Sequence, residues 1–394
     1  FDYIAAHGVW SWVSAENRSA ILKFIANHLK PGGVLYLGYN SHPGWSPILP
    51  LRHLMKMAFD RATGSIEDRV KAAVAFADRA RAAGAAFFTA NPQAAVLLDQ
   101  IKSQSPSYLA HEYFNDDWTV FDFSDVAEDL AQIDLHFAGA GQFKDNISAL
   151  TYSRETLPFV ASARDQIERE TVSDIIHNHG FRRDLFVRSP RRLASGEKDA
   201  RFDRTVFAPL VTPSDYPALS LTTDIGVFKG QTPIHMGLVE AVAAGPKTLG
   251  EIRRQGVLAG APVNEIQNAL YFLAAARALA PAPAQADLQI AQSCCRLLNE
   301  QLYDDLPRGL DIGVFAAPVI GGALQPSLME CVLLLARDDM DAKRAFDILK
   351  SRGQNFTRDG KPVPDSEALA ELAQRRALFA RGRLPLIRRL GIVD

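Results

Sequence analysis

Residues 1–45 read FDYIAAHGVWSWVSAENRSAILKFIANHLKPGGVLYLGYNSHPGW, and this stretch decides the fold class. Its opening apolar run is typical of a buried parallel strand, and Ser14 is a good N-cap for a helix over residues 15–29. The KPGG that follows ends the helix, and VLYLGY at residues 34–39 predicts a second buried strand. We therefore predict a right-handed strand–helix–strand crossover, the repeat of doubly wound α/β folds.

Composition narrows the class of protein. The 394 residues include 45 acidic and 43 basic side chains, and the formal net charge is -2. This near-balance gives no global field that would hold the protein on nucleic acid or on an anionic membrane. Three cysteines without a Cys-x-x-Cys pair exclude a disulfide scaffold or a zinc ribbon and indicate a reducing cytoplasm. The most apolar later stretch, residues 313–336, contains two prolines and Glu330 and does not predict a membrane span.

Residues 46–104 predict a helical insertion into the sheet domain. Ser65 and Asp68 form a capping-box pattern at the start of one of its helices, and Gly84 marks the end of that helix. We expect the insertion to act as a lid or as a dimer surface, and we expect a homodimer formed through it.

The α/β pattern resumes over residues 105–190, which together with residues 1–45 make up the sheet domain. The predicted elements are a helix capped by Ser124, a strand at residues 135–139, one long helix from Ser153 to Gly180, and a closing strand at residues 181–187.

The second half of the chain predicts a mainly α region. Residues 189–203 mix both charges with proline and glycine, which is typical of a linker. Residues 191–283 predict a hairpin at 220–228 and three helices in a winged-helix-like arrangement, and residues 284–394 predict a C-terminal helical domain. The third helix, VNEIQNALYFLAAARA, has one basic residue, at its end. A DNA-recognition helix needs more cations, so we expect no nucleic-acid partner.

Aromatic and imidazole side chains follow both predicted strands, at the edge where open α/β sheets collect ligands. HGVWSW (residues 7–12) follows the first strand, and GYNSHPGW (residues 38–45) ends and follows the second. YLAHEY (residues 108–113) forms a third such cluster. Their convergence predicts a pocket at the sheet edge, although packing of the insertion onto the sheet would explain the same aromatic residues.

FDYIAAHGVWSWV and LKPGGVLYLGYNSHPGW, followed by SYLAHEYFNDDW and FDFSDVAEDLAQIDLHFAG, resemble class I S-adenosylmethionine-dependent methyltransferases. More narrowly, they resemble the bacterial branch with a methyltransferase regulatory domain, which includes rickettsial protein lysine methyltransferases. The resemblance covers residues 1–188 and, less sharply, much of the remainder. It implies an α/β fold: the C-terminal part of a Rossmann-like methyltransferase sheet, a helical insertion, and a mainly α regulatory region with a winged-helix-like element.

The family places a glycine-rich cofactor loop after its first strand and a ribose-binding acidic residue after its second. No G-x-G-x-G loop opens a helix in the 394 residues. We therefore expect the sequence to begin at Phe1 partway through the domain, with the N-terminal part of the Rossmann-like domain upstream. The resemblance implies an enzyme at full length and leaves open whether residues 1–394 alone bind the cofactor.

The resemblance implies S-adenosylmethionine as cofactor and a protein lysine as methyl acceptor. Ala6, His7 and Gly8 are expected to contact the cofactor. His7 is also the expected base, since an imidazole can take a proton near neutral pH. Tyr39 and Tyr113 are expected to be catalytic with it, orienting the amine through their hydroxyl groups or ring faces.

The expected substrate-binding side chains belong to the same three clusters: Trp12, Asn40, Trp45, Tyr108 and His111. Packing or turn roles stay open for each of them. No metal site is predicted, because the adjacent His111 and Glu112 do not share a helix face. A small-molecule N- or O-methyltransferase and a non-catalytic regulatory or dimerisation module are the alternative functions.

Overall fold

The structure is a computed structural model of the chain. It describes residues 1–216, 219–283, 285–305, 314–335, 342–351, 353, 356–358 and 361–393. The chain divides into two compact units, Phe1–Arg192 and Leu193–Asp394.

A four-stranded mixed sheet lies at the centre of the first unit. Its strands are β1 (Tyr3–His7), β2 (Val34–Asn40), β3 (Leu135–Ala140) and β4 (Phe181–Arg188), in the order β1-β2-β4-β3. β1 and β2 run parallel, whereas β4 is antiparallel to both β2 and β3. The predicted parallel pair is therefore confirmed, and the later strands extend the sheet on the β2 side.

Helix α1 (Ala15–His28) connects β1 to β2. Ser14 caps it as predicted, because its hydroxyl oxygen accepts a hydrogen bond from the Asn17 N–H at 3.2 Å. After the helix, Gly32 has φ +77, a left-handed conformation that glycine adopts without strain. The KPGG segment therefore turns the chain into β2.

The insertion consists of helices α2 (Leu49–Arg61), α3 (Ile66–Ala82), α4 (Ala86–Ala90) and α5 (Pro92–Ile101), and α6 (Pro106–Phe114) follows them. The predicted capping box is present: the Ser65 hydroxyl accepts from the Asp68 N–H at 3.2 Å, and the Asp68 carboxylate accepts from the Ser65 N–H at 3.1 Å. These helices share a hydrophobic core of their own, which includes residues of α6. Helix α6 therefore packs with the insertion.

The remaining helices of this unit are α7 (Phe123–Ala131), α8 (Ser148–Thr151), α9 (Leu157–Ala161) and α10 (Gln166–His177). The predicted single helix from Ser153 to Gly180 is wrong, because it is two helices, α9 and α10. Asp165 separates them, since its carboxylate accepts from the Glu168 N–H at 2.9 Å and so starts a new helix. Ser124 is also not the cap predicted for α7, which begins one residue earlier.

One face of the sheet packs on α1 and α7. The fully buried core there contains side chains from all of these elements: Trp10, Ile25, Leu29, Leu35, Leu37, Tyr39, Phe123, Val126, Leu130 and Phe186. Burial of this much apolar surface is the main term that stabilises the unit. The same packing of the sheet on α1 and α7 positions the carboxyl ends of β1 and β2.

The second unit contains α11 (Ser195–Arg204), β5 (Val206–Pro209), β6 (Leu221–Thr223), β7 (Gly226–Phe228), α12 (Pro233–Val242), β8 (Lys247–Thr248), α13 (Leu249–Ile252), α14 (Val263–Ala275), β9 (Leu279–Ala282), α15 (Gln285–Asp305), β10 (Phe315–Ala317), β11 (Gly322–Leu324), α16 (Leu328–Leu335), α17 (Ala342–Ser351), β12 (Thr357–Arg358), β13 (Lys361–Pro362), α18 (Asp365–Arg381) and α19 (Arg383–Arg389). The predicted hairpin is confirmed by the antiparallel pair β6–β7. Strands β8, β5 and β9 form a small sheet.

The predicted linker at residues 189–203 contains the boundary between the two units, which falls after Arg192, but its irregular part ends where α11 begins at Ser195. Asp203 of this helix pairs with Arg253 at 2.7 Å, so the charged composition reflects a helix held by an ion pair. Among the described residues, no helix combines the length and apolarity that a membrane span requires.

The loop after β2 lies close to the turn before β4. A Cβ on Gly44 would be 2.6 Å from the Gly180 Cα and 2.7 Å from the Asn178 carbonyl oxygen, whereas a Cβ on Gly180 would have no neighbour nearer than 3.8 Å.

We expect Gly44→Ala to lower the free energy of unfolding by about 1–3 kcal/mol, because the backbone must move. Gly180→Ala, the matched control, should change it by less than about 1 kcal/mol. Urea denaturation followed by circular dichroism measures both, and equal effects would contradict the close approach.

Candidate active site

The carboxyl ends of β1 and β2 lie side by side at one edge of the sheet, where His7 pairs with Gly38. A 3-10 turn, Trp10–Trp12, follows β1. The Ser11 hydroxyl in this turn accepts a hydrogen bond from the Asn40 N–H at 2.8 Å, and the Ser11 carbonyl accepts from the Thr119 N–H at 2.9 Å. The two strand-end loops and the segment after α6 therefore form one connected surface.

His7 is exposed at the end of β1. Its Nδ1 shares a hydrogen bond of 3.0 Å with the Tyr36 hydroxyl, and its ring lies 5.8 Å from the Tyr36 ring and 5.5 Å from the Phe181 ring. A Cβ on Gly38 would come within 2.8 Å of the His7 Nδ1, so glycine leaves room for the imidazole. Nε2 makes no hydrogen bond to any residue that the structure describes, which leaves it available to a ligand.

Ala6 and Gly8 flank His7 at the same edge. Gly8 has φ +63, and a Cβ placed on it would find no atom within 4 Å. The backbone here therefore faces open space, in a conformation that favours glycine. Both properties allow a ligand to approach the main chain closely.

Tyr39 does not belong to the accessible surface, contrary to the prediction that it is catalytic. Its side chain is fully buried, and its hydroxyl donates a hydrogen bond of 2.7 Å to the Asp184 carboxylate. Burial, together with the Asp184 charge, raises the pKa of Tyr39 well above its ordinary value. The period-two alternation of the strand turns Leu35, Leu37 and Tyr39 into the core, so Tyr39 cannot touch an acceptor.

Asp184 belongs to a buried ion cluster around Arg182. The guanidinium donates to Asp184 at 2.8 Å, to Glu170 at 2.9 Å and to Asp174. Asp174 also accepts a hydrogen bond from His179 Nδ1 at 2.8 Å. The cluster joins β4 to α10 and, through Tyr39, to β2.

A second group of predicted residues lies on α6 and faces the turn after β1. The His111 ring stacks on the Trp12 ring at 6.0 Å with an interplanar angle of 12°. Tyr108 is 49% exposed and lies one helical turn before Glu112. Trp12 and His111 are therefore in contact and Tyr108 is exposed on the same helix as His111, while their predicted role in substrate binding stays a prediction.

Glu112 lies on α6 one helical turn after Tyr108 and is not among the predicted site residues. Its half-buried carboxylate makes no ion pair or hydrogen bond within the described part of the chain. Burial raises its pKa, while the neighbouring His111 lowers it. The sequence signal was present in YLAHEY, but we considered Glu112 only as a metal ligand. Among the described residues, no group of three or more histidine, cysteine or acidic side chains is placed to hold a metal ion.

Tyr113 and Trp45 pack behind this surface. Tyr113 is 8% exposed, and its ring lies 6.1 Å from that of Trp45, which is itself 5.0 Å from the Trp118 ring. Arg52 lies 4.2 Å over Trp118. Burial and the Glu112 charge raise the pKa of Tyr113 to about 12, so its phenol stays protonated at neutral pH. Packing therefore limits the access of a substrate to Tyr113, and its catalytic role stays a prediction.

Asn40 is 2% exposed, and its Nδ2 has no hydrogen-bond acceptor in the part of the chain that is described. The Trp12 Nε1 is likewise buried and unpartnered. Buried donors without acceptors are uncommon in folded proteins. Each of these two nitrogens can donate a hydrogen bond to a ligand atom or a water.

The family described as "Predicted methyltransferase regulatory domain" matches residues 105–188 of the chain. The Synechocystis protein sll1526 is 31% identical to it over 400 residues, covering 100% of this chain and 78% of the relative. The Rickettsia prowazekii protein RP789 is 25% identical over 199 residues, which are 49% of this chain and 35% of the relative.

Two solved structures share the fold. PKMT2 from Rickettsia typhi in complex with AdoHcy has a TM-score of 0.57 and 17% identity, covering 96% of this chain and 79% of that one. A second structure of PKMT2 from the same organism has a TM-score of 0.54 and 17% identity, with 100% and 80% coverage.

The structure is a mixed α/β protein with a methyltransferase-like fold. The chain belongs to the protein family that carries this predicted methyltransferase regulatory domain. The match falls on residues 105–188, which include α6 to α10 and strands β3 and β4. The winged-helix-like element predicted at residues 191–283 lies outside this match.

The buried position of Tyr39 predicts a structural role. Tyr39→Phe should lower the free energy of unfolding by about 1.5–3 kcal/mol, because it removes a buried hydrogen bond to a carboxylate. Tyr36→Phe removes the hydroxyl of the neighbouring tyrosine that contacts exposed His7, and should cost less than about 0.5 kcal/mol. Chemical denaturation measures both. An unchanged stability for Tyr39→Phe would contradict the assigned role.

Proposed function

We propose that the protein is an S-adenosylmethionine-dependent methyltransferase that acts on lysine side chains of proteins. The observation that carries the proposal is the fold shared over 96% of the chain with PKMT2, whose structure contains AdoHcy. The family match to a methyltransferase regulatory domain supports the same class of reaction.

We also propose that the four strands are the C-terminal part of a Rossmann-like methyltransferase sheet. The parallel pair β1–β2 corresponds to the fourth and fifth strands of a Rossmann-like methyltransferase sheet, and β3 and β4 correspond to its last strands. The order β1-β2-β4-β3, with β4 reversed, supports this correspondence. In the second unit, α12, α13 and α14 beside the sheet β8-β5-β9 support a winged-helix-like element.

S-adenosylmethionine supplies an activated methyl group, and Ala6, His7 and Gly8 are the residues proposed to hold it. The open space beside Gly8 and the free Nε2 of His7 fit this role. His7 is also proposed to accept the proton that the acceptor amine must lose, because an amine attacks only when neutral.

The acceptor is proposed to lie against Trp12, Tyr108 and His111, with Glu112 beside them. Aromatic faces and an unpaired carboxylate attract an ammonium group, which suits a lysine side chain before it loses its proton. The buried Asn40 Nδ2 can donate to a carbonyl of the acceptor. Trp45 and Tyr113 would support this surface from behind.

A labelled methyl group tests the function. Full-length protein incubated with labelled S-adenosylmethionine and a bacterial extract should transfer label to protein, and hydrolysis should release methylated lysine. Label found only in small molecules would support the alternative N- or O-methyltransferase. Failure of S-adenosylmethionine and AdoHcy to bind by calorimetry would contradict the proposal and favour a non-catalytic module.

The role of His7 has a matched control in this assay. His7→Ala should lower the rate of transfer by about 10²–10⁴-fold, the usual contribution of a positioned base. His28→Ala removes another exposed histidine, at the far end of α1, and should leave the rate unchanged. If His7→Ala lowered the free energy of unfolding by as much as it raised the activation free energy of transfer, His7 would have a structural role.

We also propose a homodimer formed through the insertion, in a cytoplasmic protein whose three cysteines form no disulfide. Met57 and Val96 on its helices are 40% and 57% exposed, which supports an apolar contact. Light scattering should give twice the mass of the chain, and Val96→Glu should shift the protein to monomer. Ile175 is 64% exposed on α10, outside the insertion, and Ile175→Glu is the control. A dimer unaffected by Val96→Glu would place the interface elsewhere.

A further inference from the structure

A cavity of about 390 Å³ lies beside the edge strand β3, apart from the surface described above. A cavity of this size suits a small molecule. Its lining comes from β3, the loop after it, and α10: Phe137, Ala138, Gly139, Ala140, Asp145, Asn146, Tyr152, Gln166, Arg169 and Glu170. All of these residues fall within the match to the regulatory domain.

The wall on the strand side is shaped by a bulge. The register of β3 against β4 shifts between Phe137 and Gly139. Asn146 then holds the strand end, because its Oδ1 accepts from the Ala140 N–H at 2.8 Å and its Nδ2 donates to the Ala140 carbonyl at 2.9 Å. A Cβ on Gly139 would be 2.6 Å from that Oδ1. Bulges of this kind often adjoin functional sites.

Arg169 supplies a cation to the cavity. Its Nη2 donates to the Ser148 hydroxyl at 3.0 Å, and its guanidinium lies 5.6 Å over the Tyr152 ring. No carboxylate pairs with it among the residues that the structure describes. A guanidinium has five N–H donors, so Arg169 keeps donors for a planar anion such as a carboxylate.

Glu170 also lines the cavity and belongs to the buried ion cluster. Its carboxylate accepts from Gln166 Nε2 at 2.8 Å and from Arg182 at 2.9 Å. The Arg182 guanidinium forms ion pairs with three carboxylates, those of Glu170, Asp174 and Asp184. Burial raises the pKa of Glu170, and a ligand cation in the cavity would favour its charged form.

We propose that this cavity binds a free α-amino acid, whose carboxylate pairs with Arg169 and whose ammonium group lies on the side of Glu170 and Asp145. A phosphate ester fits less well, because its second negative charge would meet Glu170, whereas Asp145 is already paired with Lys144 at 3.8 Å. The site differs from the proposed cofactor site, since β1 and β3 are three strand spacings apart, about 14 Å.

Isothermal titration of the full-length protein with each L-amino acid tests the proposal. At least one should bind, in the presence as well as the absence of saturating AdoHcy, while propionate and inorganic phosphate should not. Binding that AdoHcy abolishes would assign the cavity to the cofactor and overturn the proposal. No binding by any amino acid, or equal binding by propionate or phosphate, would also overturn it.

Two variants localise the site. Arg169→Gln should weaken amino-acid binding at least about tenfold by removing the charged partner of the carboxylate. Arg164→Gln, an exposed arginine just before the same helix, is the matched control and should bind normally. Ala138→Trp should block binding by filling the cavity from the strand side. Normal binding by both Arg169→Gln and Ala138→Trp, with folding checked by circular dichroism, would place the ligand elsewhere.

Discussion

The first unit depends on one buried guanidinium. Arg182 is 5% exposed and holds carboxylates from α10 and from its own strand. Through Asp184 it also holds the Tyr39 hydroxyl of β2. A buried cation of this kind is tolerated only when its partners are complete, so removing one partner costs about 3–5 kcal/mol. The cluster therefore requires β2, β4 and α10 to be in place together.

The same requirement separates what the sequence could predict from what it could not. Ser14, Ser65 and the KPGG turn act within a few residues of themselves, and their local patterns predicted α1, α3 and the parallel pair correctly. Tyr39 and Asp184 are 145 residues apart, and no local pattern joins them. Sequence reasoning therefore assigned the Tyr39 hydroxyl to a substrate, whereas the folded chain uses it in the core. Alternation along FRRDLFVR was a weak signal, since Arg182 and Asp184 share one face of the strand.

The candidate site shows a similar division. Composition identified the three clusters, because tryptophan, tyrosine and histidine are dense at the strand ends. Packing then divided them into an accessible layer, with His7, Trp12 and Tyr108, and a supporting layer behind it. Tyr113 and Trp45 fall into the supporting layer because α6 packs on α2 and α3 and turns them inward. The accessible layer has the unpaired carboxylate of Glu112, which composition alone did not distinguish from other surface acids.

The match at residues 105–188 bears on how a regulatory segment can act. These residues are not an appendage, because they supply β3 and β4, half of the described sheet, and the helix that presents Tyr108 and Glu112. The buried cluster crosses from this segment to β2, whose last residue is Asn40. A change in charge at Glu170 acts on Arg182 and Asp184, and Asp184 holds Tyr39, the neighbour of Asn40. One hydrogen-bonded network therefore connects α10 and β4 with the carboxyl end of β2.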